Sequence, residues 1–235
     1  MCNDCNYSED ILSKKGLLSK HQLIAQAIYH HCPQAVRILD VGYAQHPSTD
    51  LEGEVHGVDI VTDFKPENYT AVHQVDLNLC KLPFEDKYFD SIGMGCVLAH
   101  VTNPFGLLVE LHRVLKDDGV LVLSTPNPNY YWENVINIFF NYFKSRVSKS
   151  KFEEHFYEFS RYNLRTIAQR SGYEVIEERG VSFQLVKLGW MFQPIKKPGI
   201  AYEIAYVLKK NGDPKYYTVC ELPGEKRIVE TAKPN

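Results

Sequence analysis

The sequence predicts an open α/β sheet whose strands run mostly parallel. Short runs of branched apolar residues ending in Asp or Gly recur through the first half of the chain. Amphipathic helix signals fall between some of these runs, and strands alternating with helices imply parallel pairing. The chain's 235 residues, 44% of them apolar, are enough for one full core, so a single domain with helices on both faces of the sheet is the economical reading.

The elements follow in order. In GLLSKHQLIAQAIYHHCP, Leu17, His21, Ile24 and Ile28 share one helical face, and Pro33 stops the helix. VRILDVG reads as a first buried strand closed by glycine. EVHGVDI, AVHQVDL, FDSIGMG and GVLVLST supply the second to fifth strands. Between the fourth and fifth, TNPFGLLVELHRVLKDDG is a helix. Asn103 caps it, Pro104 suits its first turn, Leu108, Leu111 and Leu115 form its stripe, and Gly119 is expected to end it.

After STPNPNYYW the alternation breaks. An insert at about 128–158 is aromatic first and then basic. SRYNLRTIAQRSGY restores order, with Ser160 as cap and Leu164, Ile167, Ala168 and Ser171 on one face. YEVIEERGVSF and GIAYEIAYVLKK read as late strands. Residues 1–208 are therefore taken as the domain, and 209–235, rich in Lys, Glu, Gly and Pro, as a partly mobile tail.

Composition narrows the function. A net charge of −3 argues against a general nucleic-acid binder. No apolar run approaches the roughly 20 residues that span a bilayer. The opening MCNDCNYSED is too polar for a signal peptide, so the expected compartment is the cytoplasm. The cysteines, at 2, 5, 32, 80, 96 and 220, give one C-x-x-C pair without a second. A zinc site is therefore disfavoured and reduced thiols are expected.

In a parallel sheet, ligands bind beyond the carboxyl ends of the strands. There stand Gly42 after the first strand, Asp59 ending the second, Asp76 ending the third, and Gly95 with Cys96 after the fourth. Asp59 lies 17 positions after Gly42, where a carboxylate can accept hydrogen bonds from a ribose diol. It could equally cap a turn. Asp76 can receive an adenine amino group beside the Leu77 backbone, or simply cap DLNLCKLPF.

Taken together, ILDVG, GVDI, VDLNLCKLPFEDKYFDSI, NPFGLLVELHRVLKDDGVLVLSTPNP and EFSRYNLRTIAQRSGYEVIEE resemble the successive blocks of class I S-adenosylmethionine-dependent methyltransferases. The resemblance covers roughly residues 36 to 182 and leans to the small-molecule branch of ubiquinone-pathway and sugar- or polyketide-tailoring enzymes. It implies a Rossmann-like twisted sheet of seven strands, the last antiparallel, with AYEIAYVLK as that inserted strand. It implies S-adenosyl-L-methionine as cofactor, held by Asp40, Gly42, Tyr43, Ala44, Asp59, Ile60, Asp76, Leu77, Gly95 and Cys96. The implied reaction is methylation of a small-molecule acceptor, with the oxygen of a sugar, glycolipid precursor or similar metabolite favoured. The alternative is a cofactor-binding or regulatory protein of the same fold without turnover.

Two departures from the resembling pattern concern the first loop. Tyr43 and Ala44 stand where a small residue and a second glycine are usual. The tyrosine can turn outward or roof the pocket, and the alanine is tolerated only while its φ stays negative. About a dozen residues separate the first two strands, too few for a full helix, so an irregular loop is expected.

Two histidines are the catalytic candidates. His100, in GCVLAHVTNP, is a base, a substrate hydrogen-bonder or a helix-packing residue. Resembling enzymes often carry glutamate metal ligands nearby; Cys96 and Ala99 stand at those positions, so no metal is expected. His155, in FEEHFYEFS, either faces the acceptor or pins the insert. The YYWENVINIFFNYF stretch reads as a lid, as core, or as a segment touching a membrane surface next to the cations of KSRVSKSK.

Overall fold

The computed structural model describes residues 17–130, 156–185, 190–192, 198–222 and 225–231. Helix α1 (Lys20–His31) opens with a capping box, the Ser19 hydroxyl accepting from the Gln22 N–H while the Gln22 side chain accepts from the Ser19 N–H. Strands β1 (Arg37–Val41), β2 (Glu54–Asp59), β3 (Ala71–Gln74) and β4 (Phe89–Gly95) follow. Helix α2 (Pro104–Val114), β5 (Leu115–Pro126), α3 (Arg161–Arg170), β6 (Tyr173–Leu185) and β7 (Trp190–Phe192) come next. Strands β8 (Glu203–Lys210), β9 (Tyr216–Leu222) and β10 (Glu225–Thr231) complete the order.

The main sheet has the order β3-β2-β1-β4-β5-β8-β6-β7. Strands β1 to β5 pair in parallel, and β8 is antiparallel to both β5 and β6. The seven expected strands are thus present with the last of them antiparallel, and β7 adds a short edge strand on β6. Residues 216–231, within the stretch read as a tail, form a separate antiparallel hairpin of β9 and β10.

Helices cover both faces. Leu107, Leu108, Leu111 and Val114 of α2, with Leu164 and Ala168 of α3, pack with Leu39, Ile92, Leu121 and Tyr206. On the other face Ile24, Ala25, Ala27 and Ile28 of α1 pack with Ile38, Val55, Val120 and Val207. No helix forms between β1 and β2, as the short connection predicted. Tyr43 and Leu51 from that loop instead join the α1-side core, helping fill it where a crossover helix would.

One expectation is corrected. Helix α2 stops at Val114, so Gly119 is not its cap. Leu115 is already extended and pairs with Phe89, while the Arg113 carbonyl accepts from the Lys87 N–H. Burial of Leu115 in the sheet overrides the helical periodicity through Lys116. Gly119 lies inside β5, where a Cβ would come 2.6 Å from the Asp90 carbonyl oxygen.

Candidate active site

The carboxyl ends of β1, β2, β3 and β4 converge on one edge, and the strand order reverses between β1 and β4. Gly42 follows β1 with φ +78°, a left-handed conformation that glycine adopts freely, and its N–H donates to the Val58 carbonyl at 2.8 Å. A Cβ there would lie 2.2 Å from Val97 Cγ2, so the loop after β4 closes directly on it. Ala44 keeps a negative φ, so its methyl carries no backbone strain.

Tyr43 neither turns outward nor roofs the edge. Its ring is buried beneath β2 beside Tyr69 and Phe64, and its hydroxyl donates to the Phe64 carbonyl at 3.0 Å. Gly57 makes the room: a Cβ there would sit 2.7 Å from the Tyr43 ring. Asp40 also points inward. Its carboxylate accepts from the Ser48 N–H at 3.2 Å and from the Tyr69 hydroxyl, folding the first loop back onto β1. Burial pushes its pKa up to about 6, with those two hydrogen bonds opposing and the charge of Asp59 adding to the rise.

Asp59 ends β2 and spreads its carboxylate across the opening. Oδ2 accepts from the Ala44 N–H and Oδ1 from the Val61 N–H, both at 3.1 Å. Each carboxylate oxygen can accept twice, so one site on each remains for a vicinal diol. Asp76 caps a short 3₁₀ turn, Leu77–Leu79, with Oδ1 accepting from the Asn78 N–H and side-chain amide. Its Oδ2 has no hydrogen bond among the described residues and can receive an exocyclic amine. Ile60 and Leu79, 60% and 74% exposed beside these two acids, offer apolar surface to a flat ring. Leu77 packs partly into the core beneath. Diol acceptor, amine acceptor and apolar flanks fit an adenosine group.

Asn78 ties this region to the loop after β4, its Oδ1 accepting from the Thr102 N–H at 2.8 Å and the Thr102 hydroxyl at 3.0 Å. His100 ends the 3₁₀ turn Val97–Ala99 with its N–H on the Val97 carbonyl. Beside it, the Phe156 and Tyr157 N–H groups donate to the Ala99 carbonyl, and the Tyr157 hydroxyl donates to that of Thr102. The chain leaving the insert is therefore laid against the loop that carries His100. His155 and residues 131–155 of the insert lie outside the described residues, as do Cys2 and Cys5.

Two further residues at this edge escaped sequence reasoning. His21 of α1 sits under Gly95, where a Cβ would lie 2.9 Å from its ring. Burial first, then the neighbouring Lys20 and His46, hold its pKa well below the ordinary value, so the ring is neutral. Nothing in its helical spacing distinguished it from a core residue. Glu203, at the start of β8, accepts a hydrogen bond from the Cys96 thiol at 2.9 Å. Its signal was a lone charge in the apolar run GIAYEIAYVL. Among the described residues, no group of three potential metal ligands is assembled, and no helix is long and apolar enough to cross a membrane.

The strand order, the glycine turn after β1 and the acid ending β2 define an open α/β protein of the methyltransferase fold. Residues 39–123 match the family model described as a methyltransferase domain. The class I S-adenosylmethionine-dependent methyltransferase resemblance is thereby borne out.

A demethylmenaquinone methyltransferase from Listeria welshimeri is 34% identical over 101 residues, 39% of this chain and 43% of the relative. The match thus spans less than half of that relative's length. Among solved structures, the Burkholderia thailandensis 1,6-didemethyltoxoflavin-N1-methyltransferase, with 1,6-didemethyltoxoflavin and S-adenosylhomocysteine bound, is similar at TM-score 0.55. It is 15% identical, over 82% of this chain and 78% of that one. The [4+2]-cyclase SpnF is similar at TM-score 0.51 and 14% identity, over 82% of each chain. These two likenesses establish the fold.

Proposed function

We propose that this protein is an S-adenosylmethionine-dependent methyltransferase acting on a small-molecule acceptor. The observation that carries the reading is the pair of carboxylates on adjacent strand ends, Asp59 and Asp76, each with accepting capacity left over and flanked by exposed Ile60 and Leu79. When bound, the cofactor supplies an electrophilic methyl on a sulfonium sulfur. The chain's residues then have three tasks: to bind the nucleoside, to aim the methyl, and to receive the acceptor's proton where the acceptor is a hydroxyl.

Asp59 takes the ribose, with the Ala44 and Val61 N–H groups fixing its carboxylate. Asp76 takes the adenine amine. His100, on the loop after β4, is the candidate base for the acceptor, with His155 as second candidate. The acceptor class proposed is a sugar, glycolipid precursor or similar hydroxyl metabolite. Relatives named for demethylmenaquinone and 1,6-didemethyltoxoflavin support a small molecule in general and widen the set to ring compounds.

A second reading, binding without methyl transfer, is favoured by the first loop, where Val97 closes on Gly42 and Tyr43 is committed to the core. The likeness to a cyclase carries the same warning that this fold does not dictate methyl transfer. Calorimetric titration with S-adenosylmethionine, S-adenosylhomocysteine and NAD is the first test. Binding of the two adenosyl compounds and not of NAD is expected, and absence of that binding overturns the proposal. Mass spectrometry over sugar, glycolipid and quinone-like acceptors then separates the readings. Gain of one methylene unit supports transfer, and binding without any such product supports the second.

A further inference from the structure

Away from Asp59 and Asp76, the same sheet edge holds a buried acid that the proposed donor site has not yet used. Glu203 opens β8, paired with Pro126 of β5 on one side and Ser182 of β6 on the other. Because β8 is antiparallel, its first residue lies at the edge where the parallel strands end. The residue is 7% exposed. Among the described residues its one hydrogen bond comes from the Cys96 thiol, and no Lys, Arg or His pairs with it.

The Cys96 side of this contact is strained. Cys96 sits at φ +60°, an uncommon conformation for a residue with a Cβ, and a thiol is a weak donor. A largely enclosed carboxylate whose one partner is a weak donor is a fitting neighbour for a cation. Ser124 adds only a long contact to the sulfur, 3.9 Å from its hydroxyl.

Topology identifies the cation, on the reading given above. With the ribose on β2 and the adenine on β3, the sulfur end of the donor runs the other way along the edge, past β1 towards β4, where Cys96 stands. We propose that Glu203 is the counter-charge for the donor's sulfonium and makes the site prefer the charged donor to its neutral thioether product. When the methyl leaves, the sulfur keeps the bonding pair and becomes neutral, so the attraction vanishes and the product exchanges. Such a group favours the loaded ground state and governs turnover through product release more than through the barrier.

The test needs no acceptor. In calorimetry at fixed pH, the wild-type chain should bind S-adenosylmethionine at least fivefold more tightly than S-adenosylhomocysteine. In Glu203→Gln the affinity for S-adenosylmethionine should fall at least tenfold, while that for S-adenosylhomocysteine stays within twofold. If the wild type binds neither compound, the donor site itself is wrong and this proposal falls with it. If it binds both but prefers the thioether, or the ratio is unmoved in Glu203→Gln, only the role of Glu203 is overturned. Should that variant fail to fold by circular dichroism, a nitrogen analogue of the donor is titrated into wild type instead, at a pH where its amine is charged. It must outbind the neutral thioether, and equal or weaker binding overturns the proposal.

Discussion

Asp40 and Asp59 end neighbouring strands and have opposite electrostatic duties. Asp40 is enclosed, and its pKa of about 6 lies above the ordinary 3.8, so the folded chain holds its proton more tightly than the unfolded one. Its stabilising contribution is fully present below about pH 4 and lost as pH rises through about 6, a change on the order of 2–3 kcal/mol. In Asp40→Asn the amide oxygen can still accept from Ser48 and Tyr69 while carrying no charge. That variant should therefore lack this part of the pH dependence, read from urea unfolding at pH 4.5 and 7.5. Parallel losses of stability in both proteins over that range would refute the burial account. Asp59 is partly exposed, holds the Ala44 and Val61 N–H groups, and on the proposed reading also takes the ribose. Asp59→Ala should weaken S-adenosylhomocysteine binding at least tenfold in calorimetry, since hydrogen bonds to a charged acceptor contribute about 1.5–3 kcal/mol. An unchanged affinity would remove the ribose assignment. Both aspartates were legible as positions in the sequence. Their directions were not, because only the packing of Tyr69 and Ser48 shows that Asp40 turns away from the ligand edge.

Between elements, the LPFEDKYFD loop shows why a motif can be plain in a sequence while its cause is hidden. The loop after the 3₁₀ turn is held by α2: Glu110 accepts from the Leu82 N–H at 2.7 Å, and Arg113 donates to the Phe84 carbonyl at 2.8 Å and to Asp86 at 2.7 Å. Glu110 and Arg113 also pair with each other at 2.6 Å. Glu110→Ala leaves the Leu82 N–H without its acceptor, while Arg113 keeps Asp86, and should cost about 1–3 kcal/mol in urea unfolding. A cost below 0.5 kcal/mol would show the clamp to be incidental. Strand and helix spacing announced α1, α2, α3 and the seven main strands because each carries its own period. The extra strand β7, the early end of α2 and the hairpin of β9 and β10 depend on neighbours that no local pattern encodes. The first loop is the sharpest case. A tyrosine in a glycine-type loop suggested a changed ligand wall, whereas the ring fills core space that a crossover helix would occupy, against a glycine in β2. Tyr43→Ala should therefore destabilise by about 3–5 kcal/mol, like other buried aromatic truncations, and Tyr43→Phe by about 1 kcal/mol for the lost bond to Phe64. Cofactor affinity that changes as much in Tyr43→Phe as in Tyr43→Ala would point instead to the hydroxyl as a ligand contact.

For the molecule as a whole, two separate places are candidates for a bound metabolite. One is the strand-end edge, where Asn78 joins the loop after β3 to the loop after β4 and Tyr157 joins that loop to the chain leaving the insert. The other is a groove of about 570 Å³ outside α1, lined by Gln22, Gln26, Tyr29, His30, Asp50 and Glu52 among others, with none of the strand-end residues in it. Topology favours the first, since the reversal of strand order between β1 and β4 leaves the cleft that open α/β proteins use. A ligand held there bridges several loops, and at a hundred times its Kd it stabilises the fold by about 2.7 kcal/mol. Saturating S-adenosylhomocysteine should therefore raise Tm and slow amide exchange together at 42–46, 59–61, 76–79 and 95–102, while α1 near Gln26 and the stretch 50–52 stay unchanged. The coupling through Asn78 sharpens the expectation. Asn78→Ala should leave ligand protection at 59–61 and reduce it at 95–102, because the ligand then reaches one side of the cleft without the tie to the other. Protection confined to the groove outside α1 would move the site to the back of the sheet and dissolve the roles given to Asp59 and Asp76.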